Sequence, residues 1–239
     1  MLFRSEVVRG MFNSTVQDWT AAGTSEVYLA EYTERGAVNP LRASKPVFRL
    51  PTSAEGGAVI GGTASGTQAI LRFAIDAVGE TGVEFNDADG TPNYVTGDDL
   101  IQVRLTGAVD SSMTDHISTC ELRNVTQGNN ETLDTIDVST ISVDATGVDL
   151  GFDFSTNNLQ ISKDGTAVLE VRCTMALAAG ETLSAQIGET PDGGGTQLAE
   201  GSVPTSTVIY DDGVDTAVDE SATLIDNLPI LGPAFDVNN

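Results

Sequence analysis

Leu71-Arg72-Phe73-Ala74-Ile75-Asp76-Ala77 alternates without a break: every odd position is apolar, and two of the three even ones are charged. Side chains of a strand point alternately to opposite faces, so this stretch predicts a β-strand with one face in a core and one toward water. The same pattern recurs in Ile101-Gln102-Val103-Arg104-Leu105, in Cys120-Glu121-Leu122 and in Leu169-Glu170-Val171-Arg172-Cys173. Turn-forming clusters separate these runs: Asn86-Asp87-Ala88-Asp89-Gly90, Gly128-Asn129-Asn130, Lys163-Asp164-Gly165 and Pro191-Asp192-Gly193-Gly194-Gly195. A parallel sheet covered on both faces would give continuous apolar strands, so the alternation favours antiparallel pairing. The expected fold is all-β, an antiparallel jelly roll or β-sandwich barrel with extended N- and C-terminal arms. A second stacked β-sandwich is also compatible with the chain's 239 residues.

Helical periodicity is scarce. Its best stretch, Val16 to Arg35, is spoiled by Gly23, Thr24 and Tyr28. Ala54 to Gly66, rich in glycine and small residues, reads as a linker or extended arm and sets a boundary near residue 66. Residues 1–66 are then an N-terminal arm and assembly segment, 67–204 the barrel, and 205–239 a C-terminal strand and tail. In the last piece, Leu224 to Phe235 is apolar but interrupted by Pro229 and Pro233, so it should run extended. It either covers the edge of its own barrel or clasps a neighbouring subunit.

Charge is uneven along the chain. Residues 1–50 carry six Lys/Arg against five Asp/Glu, so the net charge of −24 belongs to the remainder, where lysine occurs only at Lys163. Such a body repels itself in dilute buffer. At molar salt the Debye length falls to about 3 Å, and the repulsion largely disappears. The composition therefore implies a high-salt setting, and the nearly neutral leading segment implies a surface meant to be covered. Nucleic-acid binding is disfavoured, because phosphate contacts require clustered Lys/Arg.

Chemistry-bearing sets are few. His116 is the single histidine and lies in a polar stretch without a nucleophile-elbow sequence, which reads as a surface residue. Cys120 and Cys173 share inward faces with their apolar neighbours and are read either as two buried free thiols or as a disulfide. Gly56-Gly57 and Gly61-Gly62 lack the Lys-Ser/Thr of a phosphate loop, and no zinc spacing is present. Asp87, Asp89, Asp98 and Asp99 form an acidic cluster that could offer oxygen ligands to Ca²⁺ or another hard cation. Its match to a calcium loop is partial, since Phe85 occupies the first ligand position. The alternative is an acidic hairpin loop, and Asp211-Asp212-Gly213-Val214-Asp215 shares that ambiguity. Three glycosylation triplets, at Asn13, Asn124 and Asn130, are the kind a Thr-rich chain produces by chance.

No run of 18 apolar residues is present, and Met1 to Glu6 begins no apolar leader, so the chain is expected to be made in the cytoplasm. In size, in its Asp/Thr/Gly-rich alternating strands such as Leu71–Ala77 and Leu169–Cys173, and in its lysine deficit, the chain resembles virion structural proteins of halophilic archaeal viruses. The nearest likeness is to the small single-jelly-roll capsid proteins of icosahedral, membrane-containing viruses. That resemblance implies a barrel standing upright on a lattice, with neighbours of its own or a second type, and no enzymatic activity. Localisation would be the virion, with host-surface contact among its roles. Tail, turret and decoration proteins of tailed haloviruses fit nearly as well. The expectations from other classes are a haloarchaeal cell-surface or pilus adhesin and a sugar-binding β-sandwich module.

Overall fold

The alternating heptapeptide lies in the middle of the longest strand of the molecule. In the computed structural model, residues 43–61, 65–88, 90, 98–107, 113–140, 147–187, 208–214, 218–220 and 227–236 are described. They belong to one unit, Arg42–Asn239. The helix reading for Val16 to Arg35 lies outside the described residues.

β2 (Ser65–Gly79) pairs along its length with β9 (Thr166–Ala176), placing Phe73 opposite Leu169 and Ile75 opposite Ala167. Leu71, Phe73, Ile75 and Ala77 are buried while Arg72 and Asp76 turn outward, as the alternation predicts. A register shift between Ala69 and Leu71 lets Ile70 join Leu71 in the core, because an extra residue in one strand breaks the strict two-residue period. Beyond β9 come β5 (Ile117–Asn124) and β6 (Glu131–Asp137), and β1 (Ser44–Arg49) closes the other side. The five-stranded sheet runs β1-β2-β9-β5-β6, with all pairs antiparallel. Residues 44–49, part of the segment read as an arm, are thus an edge strand of the body.

The second sheet is built on β4 (Leu100–Thr106). One side of β4 pairs with β7 (Gly147–Phe152), and the other is shared by β10 (Thr182–Ile187) and β11 (Val208–Tyr210). β12 (Val218–Glu220) pairs with β11; β13 (Ile230–Leu231) and β14 (Phe235–Asp236) pair with β10. The C-terminal stretch is therefore extended, yet it is no free arm. Ile230 and Phe235 are buried against the chain's own core, which overturns the tail-clasp reading for residues 227–236. The two prolines explain the shape: neither can donate to a ladder, so pairing survives only in two-residue pieces. A two-stranded sheet of β3 (Val83–Phe85) and β8 (Leu159–Ile161) completes the architecture, and α1 (Met113–His116) is its one short helix among the described residues.

One continuous core joins the inward faces of both large sheets, with Phe48, Phe73, Cys120, Leu122 and Val171 from the first and Ile101, Val103, Leu105, Leu150 and Phe152 from the second. Each fully buried large apolar side chain contributes about 1.5–3 kcal/mol relative to exposure. Phe48 stacks on Phe73 with centroids 5.9 Å apart, and Phe85 stacks on Phe154 at 5.1 Å. Cys120 and Cys173 stand directly opposite each other across β5 and β9 and form a disulfide, so the free-thiol reading is set aside. Closing a loop of 53 residues limits the unfolded chain and stabilises the fold by about 4 kcal/mol on the loop-entropy account.

The reading of β4 as a half-exposed strand needs correction. Its outward side chains Leu100, Gln102 and Arg104 are as buried as its inward ones. Arg104 is kept there by Asp149 of the adjoining β7, whose Oδ2 accepts from Nη1 at 2.8 Å. The side-chain amide of Gln102 makes no hydrogen bond among the described residues. No helix of the described residues is long and apolar enough to cross a membrane.

Candidate functional site

The acidic loop was the sequence's candidate metal centre. Asp98 and Asp99 lead into β4 and are buried, while Asp87 follows β3. Each carboxylate takes a backbone amide: Asp87 Oδ1 accepts from Gly90 at 2.7 Å, Asp98 Oδ1 from Ala88 at 3.1 Å, and Asp99 Oδ2 from Asn86 at 2.8 Å. Asp89 lies outside the described residues. Among the described residues, no group of three or more His, Cys, Asp or Glu side chains converges to hold a metal ion. These carboxylates tie the β3–β4 connection to the strand that follows it, the usual work of aspartate in turns. Burial pushes the Asp99 carboxyl up to about 7, helped by Asp211, Glu84 and Asp98 and opposed by the Asn86 amide. The second acidic loop behaves alike. Asp211 Oδ1 accepts from Gly213 at 2.6 Å, Asp212 Oδ1 from Val214 at 2.9 Å and Oδ2 from Ala43 at 3.0 Å, while Asp215 is outside the described residues.

A third acidic pair escaped the sequence reading because its members are 19 residues apart and belong to different parts of the fold. Asp134 of β6 and Asp153, just past β7, are both buried. Asp134 Oδ2 accepts from the Asp153 amide at 3.0 Å, and its Oδ1 accepts from the Ser155 hydroxyl at 2.7 Å. Burial first, and then Asp134, pushes the Asp153 carboxyl up to about 8. Phe154, between Asp153 and Ser155, has φ 64°, a left-handed conformation rare for an aromatic residue, and it stacks on Phe85.

His116 is half-buried at the end of α1. Its Nδ1 stands 3.1 Å from Glu181 Oε2 and 3.2 Å from the Ala176 carbonyl oxygen, and the same Glu181 oxygen accepts from the Ala178 amide at 2.6 Å. The histidine thereby joins α1 to the β9–β10 turn, and is less exposed than a surface residue. An open cleft between β3, β8 and the residues just past β11 carries Glu84 and Asp211 and no aromatic ring.

The most organised polar surface is the outward face of the five-stranded sheet. The described residues include seven Lys/Arg side chains, and five of them, Lys45, Arg49, Arg72, Arg123 and Arg172, stand on this face. Each of the four arginines is matched to a carboxylate. Across the strands, Arg72 of β2, Glu170 of β9 and Arg123 of β5 form one row, and Arg172 stands opposite Glu121 in the next. Arg72 Nε donates to Glu170 Oε2 at 3.0 Å, Arg172 Nε lies 3.7 Å from Glu170 Oε1, and Arg123 Nη1 donates to Glu121 Oε2 at 3.3 Å. At the β1 edge, Arg49 bridges Glu55 at 2.7 Å and Asp76 at 2.7 Å. Arg49, followed by Thr52, lowers Glu55 to about 2. For Asp76 burial acts upward, but hydrogen bonds from Arg49 and Thr166 outweigh it and hold the carboxyl below its ordinary range.

This face is thus electrically balanced on a chain of net charge −24. Sequence reasoning had assigned these charges to water singly. Their cross-strand register, which no single strand discloses, makes them a lattice. The chain matches no protein-family model and no curated protein.

Proposed function

We propose that this protein is a structural subunit that assembles in brine, a capsid or capsid-associated protein of a halophilic virus. One observation carries the reading: the matched arginines and carboxylates on the outward face of the five-stranded sheet. An acidic particle subunit must bring copies of itself together without opposing like charges. A balanced face satisfies that requirement, since alternating rows can meet the alternating rows of a neighbour and wrong registers are penalised by repulsion. The remaining acidic surface would face salt water. In this reading the two packed sheets are the jelly-roll-type barrel of such a shell, and residues 1–43 ahead of β1 supply further contacts with neighbours. The cross-strand disulfide fits a protein that works outside a reducing cytoplasm, because disulfides persist on virions and in extracellular proteins. It equally favours the second reading, a cell-surface or pilus protein of a salt-loving archaeon.

Light scattering of the purified full chain in molar KCl tests the proposal. The wild-type protein is expected to form oligomers or particles. The double charge reversal Arg123→Glu with Arg172→Glu should keep the native circular dichroism yet shift the population to single subunits. A wild-type protein that stays solitary at high concentration, or a variant that assembles normally, overturns it.

A further inference from the structure

The fold treats the two described glycosylation triplets in opposite ways, although they lie six residues apart at one end of the β5–β6 pair. Asn124-Val125-Thr126 is consumed internally. Asn124 Oδ1 accepts from the Thr126 amide at 3.1 Å and from the Thr126 hydroxyl at 2.6 Å, and that hydroxyl in turn accepts from the Val168 amide at 2.9 Å. The two side chains whose cooperation defines the triplet are therefore both committed to closing the turn. Asn130-Glu131-Thr132 is displayed. Asn130 is exposed, and only its main chain is held: its amide donates to Asn129 Oδ1 at 2.9 Å and its carbonyl accepts from Arg123 Nη2 at 2.9 Å. No hydrogen bond holds its side-chain amide or the Thr132 hydroxyl among the described residues. Gln127 and Gly128, both with positive φ, turn the chain sharply so that Asn129 and Asn130 stand clear of the strand ends.

We infer that Asn130 is an N-glycosylation site and that Asn124 is not. The co-substrate is an oligosaccharide carried on a lipid phosphate, delivered by a membrane oligosaccharyltransferase. In the transfer, the bond between the sugar's C1 and the phosphate oxygen breaks, and the lipid phosphate leaves with the electron pair. C1 then bonds to Asn130 Nδ2, which gives up one proton, and nothing is oxidised or reduced. A bulky hydrophilic glycan belongs on an exposed turn, and Asn130 supplies one whose main chain is already fixed by Arg123. The inference does not rest on assembly: a solitary subunit can carry the glycan and an assembling one can lack it.

The test is secretion of the full chain, fused to a leader, from a halophilic host that has such a transferase. Asn13 is replaced by glutamine throughout, and the readout is intact mass. The expected result is the mass of one glycan, retained in Asn124→Gln, absent in Asn130→Gln and in Thr132→Ala, and retained in Thr132→Ser, which preserves the triplet. The two non-glycosylated variants should keep the disulfide and the native circular dichroism, which separates loss of the glycan from loss of the fold. A parent chain at its bare sequence mass, or a glycan that survives in Asn130→Gln, overturns the inference.

Discussion

The outward faces of the two large sheets solve opposite problems with the same residue types. On the five-stranded sheet, the arginines lie partly open to solvent and are matched several at a time; Glu170, itself buried beneath them, serves both Arg72 and Arg172. On the seven-stranded sheet, Arg104 and Asp149 are almost wholly removed from water, with side chains 6% and 1% exposed. A charge is held in place by its neighbours in both cases, but what its loss costs depends on the solvent around it. Exposed pairs contribute roughly 0–1 kcal/mol. Breaking a buried pair leaves an uncompensated ion in a medium that cannot solvate it.

The sharpest way to break that contrast is Asp149→Ala, which takes the Asp149 carboxylate away from buried Arg104. It should lower unfolding free energy by about 3–5 kcal/mol in denaturant titrations at molar KCl. A loss below about 1 kcal/mol would show that solvent reaches this face.

Acidity should next divide the two regions. Asp99 and Asp153, at the entrance of β4 and the exit of β7, have folded-state values near 7 and 8 against an ordinary 3.8. The folded state therefore holds these protons more tightly than the unfolded chain. Their contribution is fully present below about 4 and is lost as pH rises through 7 to 8. Glu55, lowered from 4.5 to about 2, works the other way: its contribution is present above 4.5 and disappears as pH falls through 2. Asp153→Asn should flatten the decline in melting temperature between pH 6 and 9 (roughly the span around its folded value) and leave the acid limb unchanged. A wild-type melting temperature that rises across that alkaline span would contradict the assignment. The smallest effect belongs to Arg123→Ala on the open face, whose partner Glu121 is partly open to solvent, at roughly 1 kcal/mol or less by the same titration.

Strand identity was legible wherever one face was wet. Leu71–Ala77 and Leu169–Cys173 announced their buried sides because the alternate positions had to be polar. Cys120 and Cys173 could be assigned to the interior from their apolar neighbours, whereas their pairing required the β5–β9 register. β4 misled because a polar residue was assumed to mean solvent, and Arg104 avoids solvent through a partner 45 residues away. Asp134 and Asp153 were illegible for the same reason: neither has a distinctive local motif, and only the meeting of β6 with the end of β7 joins them. The acidic loops, conspicuous in the sequence, turned out to spend their carboxylates on nearby amides.

The sulfur bridge between β5 and β9 has a mechanical corollary. Tension applied to the two ends of this chain enters at Cys120 and leaves at Cys173, so residues 121–172, including β6, β7 and β8, carry none of the load. Drawn out fully, that sheltered segment would span about 180 Å, a reach the oxidised molecule cannot yield, however hard it is pulled. One covalent crossing in the middle of a sheet thus caps how far the molecule can be stretched.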